Sequence, residues 1–152
     1  MTIVMRELRT FLPWQSPFNP DVPGFTNHWW QRDWGQSQSV KMHFYDFLYL
    51  DQEVARAEVL VPPHRLESRY IGLGSPCLAV EILLFEVRAD RRREGIGRKA
   101  VQRIIEAYPG ELLFAFSEKA DHFWSGIGWK HYRRDDEGCF RLPPLFVFDQ
   151  RT

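Results

Sequence analysis

The sequence has 152 residues, an ordinary length for one domain, and we treat residues 1–152 as a single domain. Apolar residues make up 44% and charged residues 26%, which is typical of a soluble globular protein and argues against a disordered chain. The 20 basic and 20 acidic side chains give a formal net charge of zero. Nucleic acid is therefore not the expected partner, because a dedicated binder needs a basic excess to neutralise phosphates.

The sequence also argues against an export signal, a membrane span and a metal site. Its start, MTIVMRELR, lacks the long apolar core of a secretory signal, and its longest apolar runs, Ile82–Phe85 and Leu112–Phe116, are too short to cross a bilayer. Cys77 and Cys139 lie far apart and fit no CxxC pattern, so we expect two free thiols in a reducing compartment, with a single disulfide as the alternative. No His, Cys, Asp or Glu cluster has metal-site spacing. We expect a cytoplasmic protein.

The N-terminal 40 residues are unusual in composition. After a predicted strand over residues 1–9, the segment 10–39 holds four of the six tryptophans and prolines at 13, 17, 20 and 23. Proline at this spacing breaks long elements, so we predict an irregular segment with one short helix over Asn27–Trp34. Its aromatic rings either cover one side of the core or form the wall of a substrate pocket.

The middle of the chain predicts strands. Lys41–Leu50 is apolar on both faces, whereas Glu53–Val61 alternates small apolar residues with charged ones, and Asp51-Gln52 between them predicts a hairpin. We also predict a short strand over Arg69–Leu73 and a strong, nearly continuously apolar strand over Leu78–Val87.

The period then changes to that of helices. Val101, Ile104 and Ile105 recur at helical spacing, which predicts a helix that starts at Arg98 and is stopped by Pro109-Gly110. The remaining predicted elements are a strand over Leu112–Phe116, a helix over Ala120–Ile127 with Ser117 as its N-cap, and strands over Trp129–Arg134 and Leu145–Asp149. This order predicts a mixed α/β sheet with helices packed on it.

The segment that carries chemistry links the strong strand to the first long helix. Its loop contains Gly95 and Gly97, which permit positive φ and close approach of a ligand to the backbone. The unpaired N–H groups and the dipole of the following helix favour an anion, and Arg92, Arg93 and Arg98 suit phosphate. We therefore predict a phosphate or pyrophosphate site. The alternative is a strand–helix turn with solvated arginines, while a Walker loop is excluded because no GK[ST] follows.

Two motifs in this region resemble those of the GNAT (GCN5-related N-acetyltransferase) superfamily. RREGIG at residues 92–97 is similar to its motif A, [QR]xxGx[GA], and ADHFWSGIGW at residues 120–129 is similar to its motif B. The resemblance covers residues 78–132, with the hairpin at 41–61 matching by topology and residues 1–40 only in rough position. It implies a mixed α+β acyl-CoA N-acyltransferase fold: a central, mostly antiparallel sheet with one splayed parallel strand pair and helices on both faces.

The resemblance implies acetyl-CoA as co-substrate. The pantetheine arm would pair with the backbone of residues 85–87, and the pyrophosphate would lie on the N–H groups of residues 93–98. Ser117 stands where the family often has asparagine. The residues expected to contact acetyl-CoA are Phe85, Glu86, Val87, Arg92, Arg93, Glu94, Gly95, Ile96, Gly97, Arg98, Ser117, Phe123 and Trp124.

Glu81 is the candidate general base, because the histone-acetyltransferase branch of the family places its base at a similar point on this strand. Its apolar neighbours should raise the pKa of its carboxyl toward the working pH. The alternative is an exposed or arginine-paired glutamate. Strand parity places Glu86 on the opposite face and makes it a weaker choice. The family's motif B tyrosine, a general acid, is replaced by Trp124, so the acid is Tyr132, Ser125 or water.

These features predict an enzyme that transfers an acetyl group from acetyl-CoA to a primary amine by direct attack in a ternary complex. The acceptor is a small-molecule or peptide amine, set by segments 10–39 and 133–144, and the aromatic content hints at an apolar or aromatic one. Trp124 motivates an alternative, an acyl-CoA-binding module with little or no turnover. A further alternative is an RNA-directed acetyltransferase of the toxin kind, against which the zero net charge counts. A second copy of the chain, forming a homodimer, is a further candidate partner.

Overall fold

The computed structural model describes residues 1–9, 15–31, 41–61, 65–66, 70–74, 77–134 and 143–151. The strands are β1 (Val4–Leu8), β2 (Lys41–Tyr49), β3 (Gln52–Val61), β4 (Arg65–Leu66), β5 (Cys77–Leu78), β6 (Val80–Val87), β7 (Leu112–Phe116), β8 (Lys130–Tyr132) and β9 (Leu145–Asp149). The helices are α1 (Asn27–Trp30), α2 (Ile96–Ala107) and α3 (Asp121–Gly126), with a 3₁₀ turn at Ala89–Arg91. No helix within these ranges is long and apolar enough to cross a membrane.

Seven of these strands form one sheet in the order β1-β2-β3-β6-β7-β9-β8, and β4 and β5 form a separate pair. Every neighbouring pair in the sheet is antiparallel except β6 and β7, which are parallel. The predicted mixed α+β class, with a mostly antiparallel sheet and one parallel pair, is confirmed.

The two faces of the sheet are covered by different parts of the chain. Helices α2 and α3 pack on one side, which we call the helical face, around a core that contains Val101, Ile104 and Trp124. On the other side, the opposite face, a second apolar cluster surrounds Leu112 and Phe114. Residues 15–31, including α1, also lie on the opposite face. The predicted helices on both faces are therefore present.

A β-bulge in β6 changes which residues share a face. Val59 of β3 pairs with Ile82 and Glu58 pairs with Leu84, so Leu83 is the extra residue of the bulge. After the bulge Phe85 packs on the helical face with Ile82, although the two differ in parity. Glu81 and Glu86 consequently share the opposite face. The prediction from parity that they lie on different faces was wrong, because parity assumes a strand without a bulge.

Four charged residues form a row across the opposite face. Arg6 pairs with Asp46, Asp46 with Arg56 and Arg56 with Glu86 on four adjacent strands. Arg6 donates to both carboxylate oxygens of Asp46, at 3.0 and 2.6 Å. Arg56 is fully buried and donates to both carboxylate oxygens of Glu53, at 2.8 and 2.9 Å. The alternation predicted in β3 is present, and the charged face is buried as well as the apolar one.

The segment 15–31 covers this charged row. The guanidinium of Arg56 lies 5.2 Å from the ring centre of Phe18 and 4.1 Å from that of Phe25. Arg56 also donates to the carbonyl of Asn19, at 2.8 Å. The predicted role of this segment as an aromatic cover over one side of the core is confirmed for the described residues.

Glu86 anchors the same segment. Its carboxylate accepts hydrogen bonds from the backbone N–H of Thr26 at 2.8 Å, from the Thr26 hydroxyl at 2.6 Å and from the Trp30 indole N–H at 2.8 Å. Close to this anchor, the carbonyl of Gly24 accepts from the N–H of Ala89, at 2.9 Å. A Cβ at Gly24 would lie 2.7 Å from Cγ of Arg88, so this crossing needs glycine.

Two predictions of secondary structure need correction or extend beyond the described residues. The strand predicted over Arg69–Leu73 is wrong: Tyr70 forms an isolated bridge with Arg134, and residues 71–73 form a turn. Gly72 has φ +87°, which an extended strand does not adopt. The predicted helix over residues 27–34 is present over Asn27–Trp30 as α1 and ends at the C-cap Gln31, while residues 32–34 and Cys139 lie outside the described residues.

Replacing Glu86 by glutamine should destabilise the protein by about 1–3 kcal/mol, because a neutral amide accepts more weakly and its NH₂ group meets the donors of Thr26 and Trp30. The free energy of unfolding, measured by chemical denaturation, checks this. The control is Glu94→Gln, whose exposed pair with Arg91 should contribute less than about 0.5 kcal/mol. Equal losses in the two variants would contradict the anchoring role of Glu86.

Candidate functional site

The site is a cleft that opens where β6 and β7 separate. The two strands pair only at Val80 with Leu113 and at Glu81 with Phe114, and beyond these positions they diverge. The cleft has a volume of about 830 Å³. Its walls come from β6, the loop that follows it, the start of α2, the end of β7 and α3. The splayed parallel pair predicted from the sequence is therefore present.

Most of the predicted site residues line this cleft. They are Glu81, Phe85, Glu86, Val87, Arg92, Arg93, Gly95, Gly97, Arg98, Phe123 and Trp124. Four do not line it: Glu94, Ile96, Ser117 and Tyr132. Sequence reasoning did not single out Leu84, Phe116, Glu118 or Pro143, which also line it. The signal for Phe116 and Glu118 was their position directly at the end of the second splayed strand.

The backbone of β6 presents an open edge to the cleft. The N–H of Arg88 donates to the carbonyl of Val54 on β3, at 2.8 Å. Because backbone groups alternate along a strand, those of Phe85 and Val87 point away from β3 and toward the cleft. On this side β6 pairs with β7 at Val80 and Glu81, and the pairing does not continue to Phe85 or Val87. The open edge is suited to pairing with an extended ligand that carries amide groups.

The loop after β6 places backbone N–H groups at the mouth of the cleft. Arg93 and Gly95 both have positive φ, +66° and +81°, and Gly95 is the N-cap of the 12-residue helix α2. The first N–H groups of a helix have no partner within it, and the helix dipole adds positive potential there. The first-turn amides of α2 are therefore of the kind that can bind an anion. Because Gly95 adopts the left-handed conformation that ends the loop, α2 begins at Ile96 and not at Arg98 as predicted.

Glycine is required at the two loop positions for different reasons. A Cβ at Gly95 would meet nothing within 4 Å, so glycine is needed there for its positive φ. A Cβ at Gly97 would lie 2.6 Å from Cε1 of Phe123 and 3.4 Å from Cγ2 of Val87. Gly97 therefore lets α2 approach α3 closely.

The arginines around the loop are engaged to different degrees. Arg92 donates from Nε to the carbonyl of Val87 at 3.1 Å, and its Nη2 lies 3.5 Å from Glu86. Arg98 donates to the carbonyl of Gly126 at the end of α3, at 2.8 Å. Within the described ranges Arg93 has no ion-pair partner, and its side chain is exposed. Arg93 is thus the cation most available to a phosphate at the mouth of the cleft.

Glu81 lies at the apex of the cleft, at the last paired position of β6 and β7. It is buried, with 7% of its surface exposed, and this burial raises its pKa to about 7. A carboxyl with this pKa exists in both protonation states near neutral pH. The arrangement can therefore accept a proton from a bound group and release it again.

Neither Trp124 nor Tyr132 is in a position to act as a general acid in the cleft. Trp124 is buried, and its ring centre lies 4.7 Å from that of Trp129 and 5.0 Å from that of Phe123, so it belongs to the helical-face core. Tyr132 is on β8, the outermost strand beyond β9, where its ring lies 4.9 Å from Nζ of Lys130. No tyrosine lines the cleft among the described residues.

Ser117 forms hydrogen bonds to other residues of the protein and does not line the cleft. Its hydroxyl oxygen accepts from the N–H of Ala120 at 3.0 Å, and its own N–H donates to the carbonyl of Pro144 at 2.8 Å. It shapes the turn between β7 and α3, whose N-cap is Ala120 and not Ser117 as predicted.

No protein-family model matches the sequence, and no curated protein matches it. Solved structures match it in fold. One is the Bacillus subtilis N-acetyltransferase YlbP in complex with coenzyme A, with a TM-score of 0.52, 20% identity, and coverage of 70% of this chain and 66% of that one. A point mutant of KacT matches with a TM-score of 0.63 and 12% identity, over 98% of this chain and 95% of that one. The fold is that of the GNAT acetyltransferases.

A bacterial toxin has the same fold, with a TM-score of 0.61, 12% identity, and coverage of 95% of this chain and 89% of that one. The match to YlbP spans just under two thirds of that protein. At these identities the likeness shows the fold alone, so function must be argued from the site. The resemblance to the GNAT superfamily stated from the two motifs is confirmed at the level of the fold. In this GNAT fold the splayed strands, the glycine loop and Glu81 all contribute to one cleft.

The two loop glycines should respond differently to alanine. Gly97→Ala should cost about 1–3 kcal/mol because of the overlap with Phe123. Gly95→Ala should cost about 1–2 kcal/mol through its left-handed backbone. Both costs are measured by chemical denaturation in the wild-type and in a Phe123→Leu background. The smaller side chain should relieve most of the cost at Gly97 and none at Gly95. Equal relief at both positions would contradict the packing assignment.

The raised pKa of Glu81 should also appear in the pH dependence of stability. The unfolded carboxyl has a pKa of 4.5 and the folded one about 7, so the folded state holds the proton more tightly. Stability from this group is therefore full below about pH 4.5, declines as pH rises to about 7 and stays lower above that. Glu81→Gln should lack this decline. Its free energy of unfolding relative to that of the wild type should therefore increase by on the order of 3 kcal/mol from about pH 4.5 to about pH 8. Chemical denaturation at both pH values checks this, and parallel pH dependences would contradict it.

Proposed function

We propose that this protein is an N-acetyltransferase that transfers the acetyl group of acetyl-CoA to a primary amine. One observation carries the proposal: a single cleft has an anion-binding helix N-terminus at its mouth, an open strand edge along its wall and a buried carboxyl of near-neutral pKa at its apex. Acetyl-CoA has a pyrophosphate, a pantetheine arm with two amides and a reactive thioester in the same order. That the structurally similar YlbP was crystallised with coenzyme A supports this proposal.

The binding of acetyl-CoA follows from the groups on each wall. The first-turn N–H groups of α2 and the guanidinium of Arg93 would hold the pyrophosphate. The open edge of β6 at Phe85 and Val87 would pair with the pantetheine amides. The rings of Phe85 and Phe123, stacked with centres 5.8 Å apart, form the apolar side of this channel.

The chemistry is a direct transfer within a ternary complex. Glu81, as carboxylate, takes a proton from the acceptor ammonium, and the free amine attacks the thioester carbonyl. The oxyanion that forms needs an N–H donor beside the thioester, which a free backbone N–H of β6 on the Glu81 side of Val87 would supply. The carbon–nitrogen bond forms first and gives the tetrahedral oxyanion, and the carbon–sulfur bond breaks when this intermediate collapses and releases the thiolate of CoA. The second amine proton passes through water to the departing thiolate, because the described cleft lining contains no tyrosine. Tyr132, predicted as one candidate acid, lies outside the lining and has no part in this scheme.

Two other functions have a specific observation in their favour. An acyl-CoA-binding module with little turnover is favoured by Trp124, which is part of the core and cannot replace an acidic tyrosine. An RNA-directed acetyltransferase of the toxin kind is favoured by the likeness to a bacterial toxin over 95% of this chain. The formal net charge of zero argues against the second, because RNA binding needs a basic surface. A cytoplasmic location and a homodimer remain predictions.

The proposal is tested by release of free CoA thiol when the protein is mixed with acetyl-CoA and a panel of primary amines. Glu81→Gln should lower kcat/KM by about 100-fold or more near neutral pH. The wild-type rate should rise with pH through about 7, where Glu81 loses its proton, and the variant should lack this step. The matched control is Glu106→Gln, an exposed residue of α2 paired with Arg103, which should keep full activity.

The outcomes separate the three functions. Full activity in Glu81→Gln near neutral pH would rule out its role as base. If no amine releases thiol while acetyl-CoA still raises the melting temperature, the binding module replaces the enzyme. If only an aminoacylated or other RNA acceptor is acetylated, the RNA-directed alternative replaces a small-molecule or peptide acceptor.

A further inference from the structure

The two faces of the sheet differ in chemistry where they border the cleft. On the helical face the cleft is lined by the aromatic core of Phe85, Phe123 and Trp124 and by the start of α2. On the opposite face Glu81 and Leu84 line it from β6, since they pair with Leu60 and Glu58 of β3. The phosphate loop and the open strand edge account for acetyl-CoA. The space on the opposite face is left for the acceptor.

Two aromatic rings on separate elements line the cleft on this opposite face. Trp29 belongs to α1, which is held to the sheet through the hydrogen bond from Trp30 to Glu86. Phe116 is at the end of β7, where it pairs with Leu145 of β9 and packs edge-on against Phe114 with ring centres 5.8 Å apart. Both residues are half-buried. Each ring thus belongs to an element that is held to the sheet, and part of its surface is exposed to the cleft.

The charges on this face are acidic. Glu81 is at the apex, and Glu118 also lines the cleft shortly after Phe116. Arg92 reaches this face through its contact with Glu86 and also donates to the Val87 carbonyl, whereas Arg93 and Arg98 belong to the loop and helix at the mouth of the cleft. A carboxylate or phosphate on the acceptor would therefore meet Glu81 and Glu118 rather than an available cation. The acceptor side suits a cationic amine whose remaining structure is apolar.

We propose, on the basis of the acetyltransferase function above, that the acceptor is an arylalkylamine: a primary amine joined by a short alkyl chain to a flat aromatic ring. The ring lies against Trp29 and Phe116, and the amine lies at Glu81. Stacking and edge-on contacts favour such a ring over an aliphatic chain of equal length. Trp29 is then a specificity-determining residue supplied by the aromatic N-terminal segment.

The test compares thiol release from acetyl-CoA with 2-phenylethylamine, butylamine, phenylalanine and a lysine-containing peptide. We expect kcat/KM for 2-phenylethylamine to exceed that for butylamine by about 10-fold and that for phenylalanine by about 100-fold. Phenylalanine keeps the ring and adds a carboxylate, so it isolates the effect of the acidic face.

The variants Trp29→Ala and Trp29→Phe test the residue itself. Trp29→Ala should raise KM for 2-phenylethylamine about 10-fold, with kcat and the KM for acetyl-CoA changed less than about 3-fold, and should leave butylamine unaffected. Trp29→Phe keeps a flat ring and should restore most of the affinity. The control is Asn27→Ala, the exposed first residue of α1 that does not line the cleft, which should behave as wild type.

Equal kcat/KM for 2-phenylethylamine and butylamine, or equal losses for both in Trp29→Ala, would overturn the proposal while acetyl transfer stands. A preference for the peptide over every small amine would overturn it as well. If no amine releases thiol, the acetyltransferase function fails first. Calorimetry of 2-phenylethylamine with the wild type and Trp29→Ala then decides the acceptor site alone: binding that Trp29→Ala loses supports it, and no binding overturns it.

Discussion

Strands β6 and β7 share only two backbone-paired positions before they separate, and the candidate site depends on this separation. Because β7 continues to pair with β9 and β6 with β3, each strand keeps one satisfied edge while the edges that face each other become free. The free edge of β6 offers hydrogen bonds to a ligand. Glu81 lies at the last paired position and is buried, and this burial raises its pKa. The point where the strands separate thus places the titratable group next to the start of the binding wall.

A second dependence runs through Glu86. The bulge at Leu83 places this carboxylate on the face opposite α2 and α3, where it accepts three hydrogen bonds from Thr26 and Trp30. A buried carboxylate with these donors holds residues 15–31 against a sheet face that would otherwise expose a row of charges. The same attachment carries Trp29 to the cleft. The hydrogen bonds of Glu86 therefore stabilise the N-terminal segment and also determine the shape of the proposed acceptor side.

The tryptophan at position 124, where the resemblance implies a tyrosine, has a structural counterpart. Its indole fills the core between Phe85, Phe123 and Trp129, so the position that the resemblance assigns to a general acid is used for packing. Near the thioester, proton transfer then falls to Glu81 and to water in the proposed mechanism. A leaving thiolate is a weak base compared with an amine, which makes protonation by water chemically adequate.

The amino-acid sequence by itself determined the strands Leu112–Phe116 and Leu145–Asp149, the helix that ends before Pro109, the glycine loop and the candidacy of Glu81. Each of these rests on local periodicity, on turn chemistry or on a short motif, which a single segment of chain carries. Only the tertiary structure decided the bulge at Leu83, the shared face of Glu81 and Glu86, the exclusion of Tyr132 from the cleft lining and the presence of Trp29 in its wall. These depend on which strand pairs with which and on what packs across a sheet face, and such non-local contacts leave no periodic signal in the sequence.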